Sequence, residues 1–190
     1  KDENISQIYT SPLGRSVETA GCVSKALGLP VQTLDFMEEI YWAMGDSPLY
    51  KNGHPWMIAD EMAAHGINLN RPDWRETEDF KTNRVLECVD RIESDIDKWL
   101  ESLGYKREGF YYRHTEEEKE HRTIALFSHG GSSSVAIGHI INLPFPYVCG
   151  LFHTDYTGIT ILRFEKKKGL AGLPCLELAN DARHAMSTLK

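Results

Sequence analysis

The feature that most constrains this chain occurs twice: a short apolar, β-prone run breaks at a turn, and an apolar helical pattern follows. In the first instance Ile5, Ile8 and Tyr9 lead to Ser11-Pro12, after which Val17, Ala20, Val23 and Leu27 recur at three- and four-residue intervals until Gly28 and Pro30. Serine is a favoured N-cap and proline a favoured first helical residue, so the pattern predicts a helix starting at Ser11-Pro12. In the second, Thr123 to Phe127 breaks at Ser128-His129-Gly130-Gly131, and an apolar helix is predicted over Val135 to Ile141, ending near Leu143-Pro144. Strand-turn-helix units build parallel sheets covered by helices, and such sheets hold ligands at the carboxyl ends of their strands, where both breaks lie.

The remaining segments fit around these units. Val31 to Leu34 reads as a further strand. Asp35 to Arg84 carries Trp42, Trp56 and Trp74 among Gly, Pro and Asn and reads as a helical, loop-rich insertion. Val85, Val89, Ile92, Ile96, Trp99 and Leu103 predict a long amphipathic helix closed by Gly104. Residues 105–122 are rich in charge, and the run from Glu116 to Glu120 reads as a solvated loop. Thr157 to Phe164 and Cys175 to Ala179 are strand candidates separated by the turn-forming stretch Lys166 to Pro174. The expected architecture is an α/β three-layer sandwich: a mostly parallel, mixed sheet with helices on both faces. One domain is expected over residues 1–190, with a helical and loop-rich cap inserted at 36–104.

Charge limits the partners. A net charge of −7 does not suit a surface that grips nucleic acid or anionic membrane by bulk attraction, so an anionic ligand must be held by a few placed cations. Cys22, Cys88, Cys149 and Cys175 are scattered, and neither Cys-x-x-Cys nor His-Glu-x-x-His occurs, so no metal or cofactor is expected. Nothing approaches the roughly 18 consecutive apolar residues of a membrane span, which leads to the expectation of a cytoplasmic protein. Ser132 to Ser134 lack the flanking glycines of Gly-x-Ser-x-Gly, which ranks an α/β-hydrolase low.

A helix N-terminus offers unpaired amides and a positive dipole end, so each turn is a natural anion seat. Arg15 falls in the first turn of its helix, where a guanidinium can reach an anion held at that sheet edge. His129 ends a strand before two glycines that let a ligand approach the backbone closely.

Tyr9 to Ala20, YTSPLGRSVETA, and Phe127 to Gly131, FSHGG, resemble two signature segments of the histidine phosphatase superfamily, the phosphoglycerate-mutase-like fold. Ser11, Leu13, Arg15, Thr19 and Ala20 match the first segment one by one, which implies a phosphate-binding role for Arg15. His129 matches the second histidine of the family, which flanks the phosphate and stabilises charge during transfer, with Gly130 as a backbone donor. Met37-Glu38-Glu39-Ile40, ahead of Gly45-Asp46, resembles the stretch that supplies the proton donor to the leaving oxygen. Glu39 fits best there, and Glu38 is the alternative register.

The family's Arg-His-Gly segment, whose histidine is the nucleophile, is absent. Arg113-His114 is a poor substitute, being followed by glutamates in a charged segment with no predicted strand before it. The chain opens at Lys1 without methionine and is almost at once in an apolar run, so the expectation is a cut upstream of which the nucleophile segment lies. This sequence alone is then expected to be inactive and to leave strand edges unpaired.

The resemblance implies a phosphatase that hydrolyses a small phosphate monoester through a phosphohistidine, without metal. A phosphoglycerate-type mutase, or an inactive relative that binds a phosphorylated ligand, are the alternatives. A mutase holds a bisphosphate, and the cap shows no dense cluster of added cations for one beyond Lys51, Arg71 and Arg75, which favours the phosphatase. Tyr41, Trp42, His54 and Trp56 are candidates to line the pocket beneath the cap. A homodimer is compatible with all of this.

Overall fold

The computed structural model describes residues 4–42, 49–50, 52–116, 122–165 and 167–186. Strand β1 (Ile5–Thr10) leads through a short turn into helix α1 (Gly14–Leu27), which returns the chain to strand β2 (Val31–Thr33). α1 ends where Gly28 adopts φ 70°, a left-handed conformation that glycine enters at no steric cost, and its amide bonds the Ser24 carbonyl at 2.8 Å. The second unit is strand β5 (Thr123–Phe127) followed by helix α4 (Gly130–Ile140). β1 is the middle strand of a three-stranded parallel sheet, order β2-β1-β5. The register pairs Thr10 with Phe127, so both turns leave the sheet at the same edge, and the Ser11 amide bonds the Phe127 carbonyl at 2.8 Å.

Between the units lie helix α2 (Pro55–Ala64), helix α3 (Val85–Ser102), and strands β3 (Tyr105–Glu108) and β4 (Tyr111–His114). After α4 come helix α5 (Phe145–Leu151), strands β6 (Ile159–Arg163), β7 (Ala171–Gly172) and β8 (Cys175–Asp181), and a short helix α6 (Arg183–Met186). The architecture is a mixed α/β fold. The parallel pairing foreseen from the two units holds in the sheet that carries the turns, while β3-β4-β7 and β6-β8 pair antiparallel. Among the described residues β5 has no partner on the edge facing away from β1, and all five of its residues are only half-buried.

The core gathers on α3, whose Val85, Cys88, Val89, Ile92, Ile96 and Leu100 are at most 4 % exposed. Their spacing is that of one helix face. Against this stripe pack Ile58 and Met62 of α2, Val135 and Ile140 of α4, Phe145 of α5, and Met37 and Ile40 from the segment after β2. On β1, Tyr9 meets Trp99 of α3 edge-on at 5.2 Å. Residues expected to form a cap therefore share one core with the elements that carry the two turns. Among the described residues, no single helix is long and apolar enough to cross a membrane.

Three local expectations are corrected. First, α1 begins at Gly14: the Ser11 hydroxyl accepts the Leu13 amide at 3.3 Å and also meets His129 Nε2 at 2.7 Å, so it holds the turn ahead of the helix. Second, α4 begins at Gly130, five residues before the predicted start; tertiary packing of Gly131, Ser132 and Ser134 compensates for the low helix propensity of Gly and Ser. Third, the charged stretch after Gly104 contains a hairpin. Its alternation is real but masked by Arg and Lys: Tyr112 and His114 point inward at 1 % and 0 % exposure, and Gly109 makes the turn at φ 62°. Arg113 and His114 therefore do sit on a strand, yet Arg113 is paired with Glu108 and His114 stacks on Tyr105 at 4.9 Å. Neither is presented to a ligand.

A polar network ties this hairpin to the helices. Tyr112 donates to Asp97 at 2.7 Å, His139 Nε2 meets the other Asp97 oxygen at 2.9 Å, and Arg107 donates to Tyr112 at 2.6 Å and to Asn142 at 2.7 Å. Burial by itself would raise the Asp97 carboxyl, but the hydrogen bonds from His139 and Tyr112 outweigh it and hold the group below the usual range.

Candidate active site

The β1 and β5 ends are joined by buried hydroxyls. Thr10, Ser11 and Ser16 are at most 4 % exposed, and the Ser16 hydroxyl, 2.9 Å from that of Thr10, donates to the Phe127 carbonyl at 2.8 Å. Such bonds pin the first turn of α1 to the end of β5 and thereby fix Arg15 relative to His129.

Arg15 Nε donates to His129 Nδ1 at 3.0 Å, and Ser11 Oγ lies 2.7 Å from His129 Nε2. Because Nδ1 accepts, the neutral ring carries its proton on Nε2 and donates it to Ser11. Burial, and next the Arg15 charge, lower the His129 pKa, so the ring is neutral at pH 7. The imidazole is 8 % exposed, whereas Arg15 is exposed, and the terminal nitrogens of its guanidinium have no partner among the described residues. Those donors are free for an anion.

His129 is extended, at φ −124° and ψ 164°, and immediately precedes α4, whose first amides have no intrahelical acceptor. The Ser132 amide is taken by Glu39 Oε1 at 3.1 Å, an oxygen that also accepts from the Ile40 amide at 2.9 Å. Glu39 is thus drawn to the positive end of α4 beside His129, while Glu38 is exposed. Crowding demands glycine at 131, whereas at 130 an exposed threonine hydroxyl would have to turn aside. A Cβ on Gly130 would stand 2.5 Å from Thr154 Oγ1, and one on Gly131 would stand 2.4 Å from Ile40 Cγ1 and 2.6 Å from Glu39 Oε1.

Glu39, Gly130 and Gly131 form one wall of an open cavity of about 320 Å³. Its other walls are Ile40, Thr154 and the rings of Trp42, His54 and Trp56. Tyr41, expected to join them, is turned away: its hydroxyl donates to Glu87 of α3 at 2.6 Å, and Arg84 lies over its ring. Of the cap cations, Arg71 is held by both oxygens of Asp73, and Arg75 by Asp90 and Glu93. Lys51 and the Gly45-Asp46 pair lie outside the described residues. Among the described residues no group of three His, Cys, Asp or Glu side chains is placed to hold a metal.

Arg15, His129, Gly130 and Glu39 are therefore brought to one place, with Glu39 rather than Glu38 facing the cavity. Sequence reasoning missed Ser11 as a partner of His129, taking its hydroxyl for a cap, and missed Thr154, which sits in a loop without a sequence signal. Arg15 Nε is already hydrogen-bonded to His129 Nδ1, so an anion reaching the terminal nitrogens meets a guanidinium held in place and not a freely rotating side chain.

The family model of the histidine phosphatase superfamily (branch 1) matches residues 1–173. Among curated protein sequences none matches this chain. Solved structures are similar in fold. A phosphoserine phosphatase from Entamoeba histolytica is 22% identical, with a TM-score of 0.56 and coverage of 95% of this chain and 76% of its own. An alpha-ribazole phosphatase from Shigella flexneri is 19% identical, with a TM-score of 0.56 and coverage of 95% and 75%. A mycobacterial glucosyl-3-phosphoglycerate phosphatase is 17% identical, with a TM-score of 0.59 and coverage of 94% and 78%.

Proposed function

Since the chain belongs to the histidine phosphatase superfamily, we propose that it is the larger part of a phosphatase hydrolysing a small phosphate monoester through a phosphohistidine. The observation that carries this reading is the contact of Arg15 Nε with His129 Nδ1 at 3.0 Å, at the joined ends of two parallel strands and beside the free amides of a helix. The terminal nitrogens of Arg15 and the Gly130 amide bind the equatorial phosphoryl oxygens. His129 flanks the same group and, through Nδ1, holds the Arg15 guanidinium where charge develops. Glu39 delivers a proton to the leaving oxygen from the cavity wall.

The nucleophile in this reading is a histidine on an Arg-His-Gly strand upstream of Lys1. The open edge of β5 supports that reading: a strand paired there would end beside His129. In-line attack by its imidazole breaks the ester bond to phosphorus, the alcohol leaves with the Glu39 proton, and water then hydrolyses the phosphohistidine. The ion pairs of Arg71 and Arg75 leave them unsuited to holding a second phosphate, which favours hydrolysis over mutase chemistry.

The test uses the full-length protein. Brief exposure to a phosphate ester, followed by alkaline quench, should trap an alkali-stable, acid-labile phosphoprotein. Arg15→Ala should lower kcat/KM by about 10²–10³, the usual cost of losing one donor to a developing oxyanion, with folding retained by circular dichroism. An Arg15→Ala variant as active as the wild type, or turnover without a phosphoenzyme, would overturn the reading.

A further inference from the structure

Resting on the reading above and deepening it, we infer that the alcohol released by this enzyme is a planar, uncharged ring system, bound among Trp42, His54 and Trp56. The three rings form one cluster: centroids lie 4.5 Å apart for Trp42 and His54, 5.6 Å for His54 and Trp56, and 6.5 Å for Trp42 and Trp56, all inclined edge to face. Trp56 is further braced by Phe145 of α5 at 6.2 Å, so the cluster is anchored in the core. Each ring is only partly buried and lines the cavity that begins at Glu39 and Gly130. A leaving group attached to a phosphoryl group at Arg15 and His129 extends into that space. Offset or edge-to-face contact with aromatic walls rewards a flat partner more than a compact aliphatic one.

Charge argues in the same direction. Among the described residues lining the cavity there is no lysine or arginine. Arg71, Arg75 and Arg84 of the surrounding segment are bound to Asp73, to Asp90 and Glu93, and to Glu87. His54 supplies no compensating charge, because burial favours its neutral form, and its Nδ1 is enclosed with no partner among the described residues. Among the described residues Glu39 is the one ionisable carboxyl on the wall. An alcohol bearing a carboxylate next to the ester oxygen would find no cation among the described residues of this wall, whereas an uncharged ring meets apolar surface.

The experiment compares three primary-alkyl esters on the full-length protein: 2-naphthylmethyl phosphate, ethyl phosphate and 3-phosphoglycerate, with inorganic phosphate as a competitive inhibitor. Naphthylmethyl phosphate should exceed 3-phosphoglycerate at least tenfold in kcat/KM. Trp56→Ala and Trp42→Ala should each reduce the ratio of naphthylmethyl to ethyl phosphate at least fivefold, chiefly through KM, and Trp56→Phe should restore most of it. A variant that merely folded poorly would lower both esters alike and leave the ratio unchanged. That result, or a preference for 3-phosphoglycerate, overturns the inference while leaving the phosphatase reading standing. If no ester is turned over and phosphate does not bind, the phosphatase reading fails and the inference falls with it.

Discussion

Gly131→Ala pits helix propensity against packing. Alanine is the better helix former by up to about 1 kcal/mol, so a view confined to α4 expects stabilisation. The tertiary environment expects the opposite. The new methyl would lie 2.4 Å and 2.7 Å from two carbons of Ile40 and 2.6 Å from Glu39 Oε1. Ile40 is 4 % exposed and packed in the core, so it cannot swing into solvent; the carboxylate must yield, and with it the bond to the Ser132 amide at 3.1 Å. Overpacking of this kind costs about 1–3 kcal/mol and the charge-assisted hydrogen bond adds about 1.5–3 kcal/mol, so after the propensity gain the net loss is about 1.5–5 kcal/mol. For a domain of this size that is a fall in Tm of roughly 3–20 °C, measurable by calorimetry. Gly21→Ala is the matched control, since Gly21 lies within α1 with nothing within 4 Å of the new atom, and it should hold or raise Tm. If Gly131→Ala melts at or above the wild-type temperature, the crowding argument, and the placement of Glu39 with it, is refuted.

Two further outcomes follow from hydrogen bonds that cross the fold. Nitrogen-15 NMR of the His129 ring at pH 7 should show the Nε2–H tautomer, and Ser11→Ala, which strips that proton of its acceptor at 2.7 Å, should destabilise the protein by about 1–3 kcal/mol; an Nδ1–H signal would contradict the donor assignment to Arg15. Because Asp97 is held below its ordinary pKa, its contribution is present above the unfolded value of about 3.9 and is lost as pH falls through the folded one. Asp97→Asn should accordingly flatten the acid limb of stability below about pH 4, and an unaltered limb would show that the network bears no such load.

What the sequence by itself determined is local and periodic. The two strand-turn-helix units, the α3 stripe from Val85 to Leu100 and the stop at Gly28 were legible because apolar spacing and glycine stereochemistry act within a few residues. Arg15 and His129 stood out as candidate site residues for the same reason, and the motif around each led to the superfamily to which the chain belongs. Elements ruled by distant contacts were not. The hairpin at Tyr105–His114 was hidden under charged side chains that pair across the strands, as Arg113 does with Glu108. The early start of helix α4 at Gly130 rests on tertiary contacts, the burial of Gly131, Ser132 and Ser134 and the bond from the Ser132 amide to Glu39, 93 residues away.

Tertiary structure alone decided how the site is wired. Register, set by β1 pairing with β5, brings Ser11 and Arg15 to opposite nitrogens of one imidazole across more than a hundred residues of chain. That choice made Ser11 a histidine partner as well as the acceptor for the Leu13 amide, since a buried ring N–H left unpaired would be costly. It also sorted the aromatic candidates: Tyr41 went to Glu87, while Trp42, His54 and Trp56 went to the cavity. The residue types were readable from the chain; which of them face each other depends on strand register and side-chain packing, which no local pattern encodes.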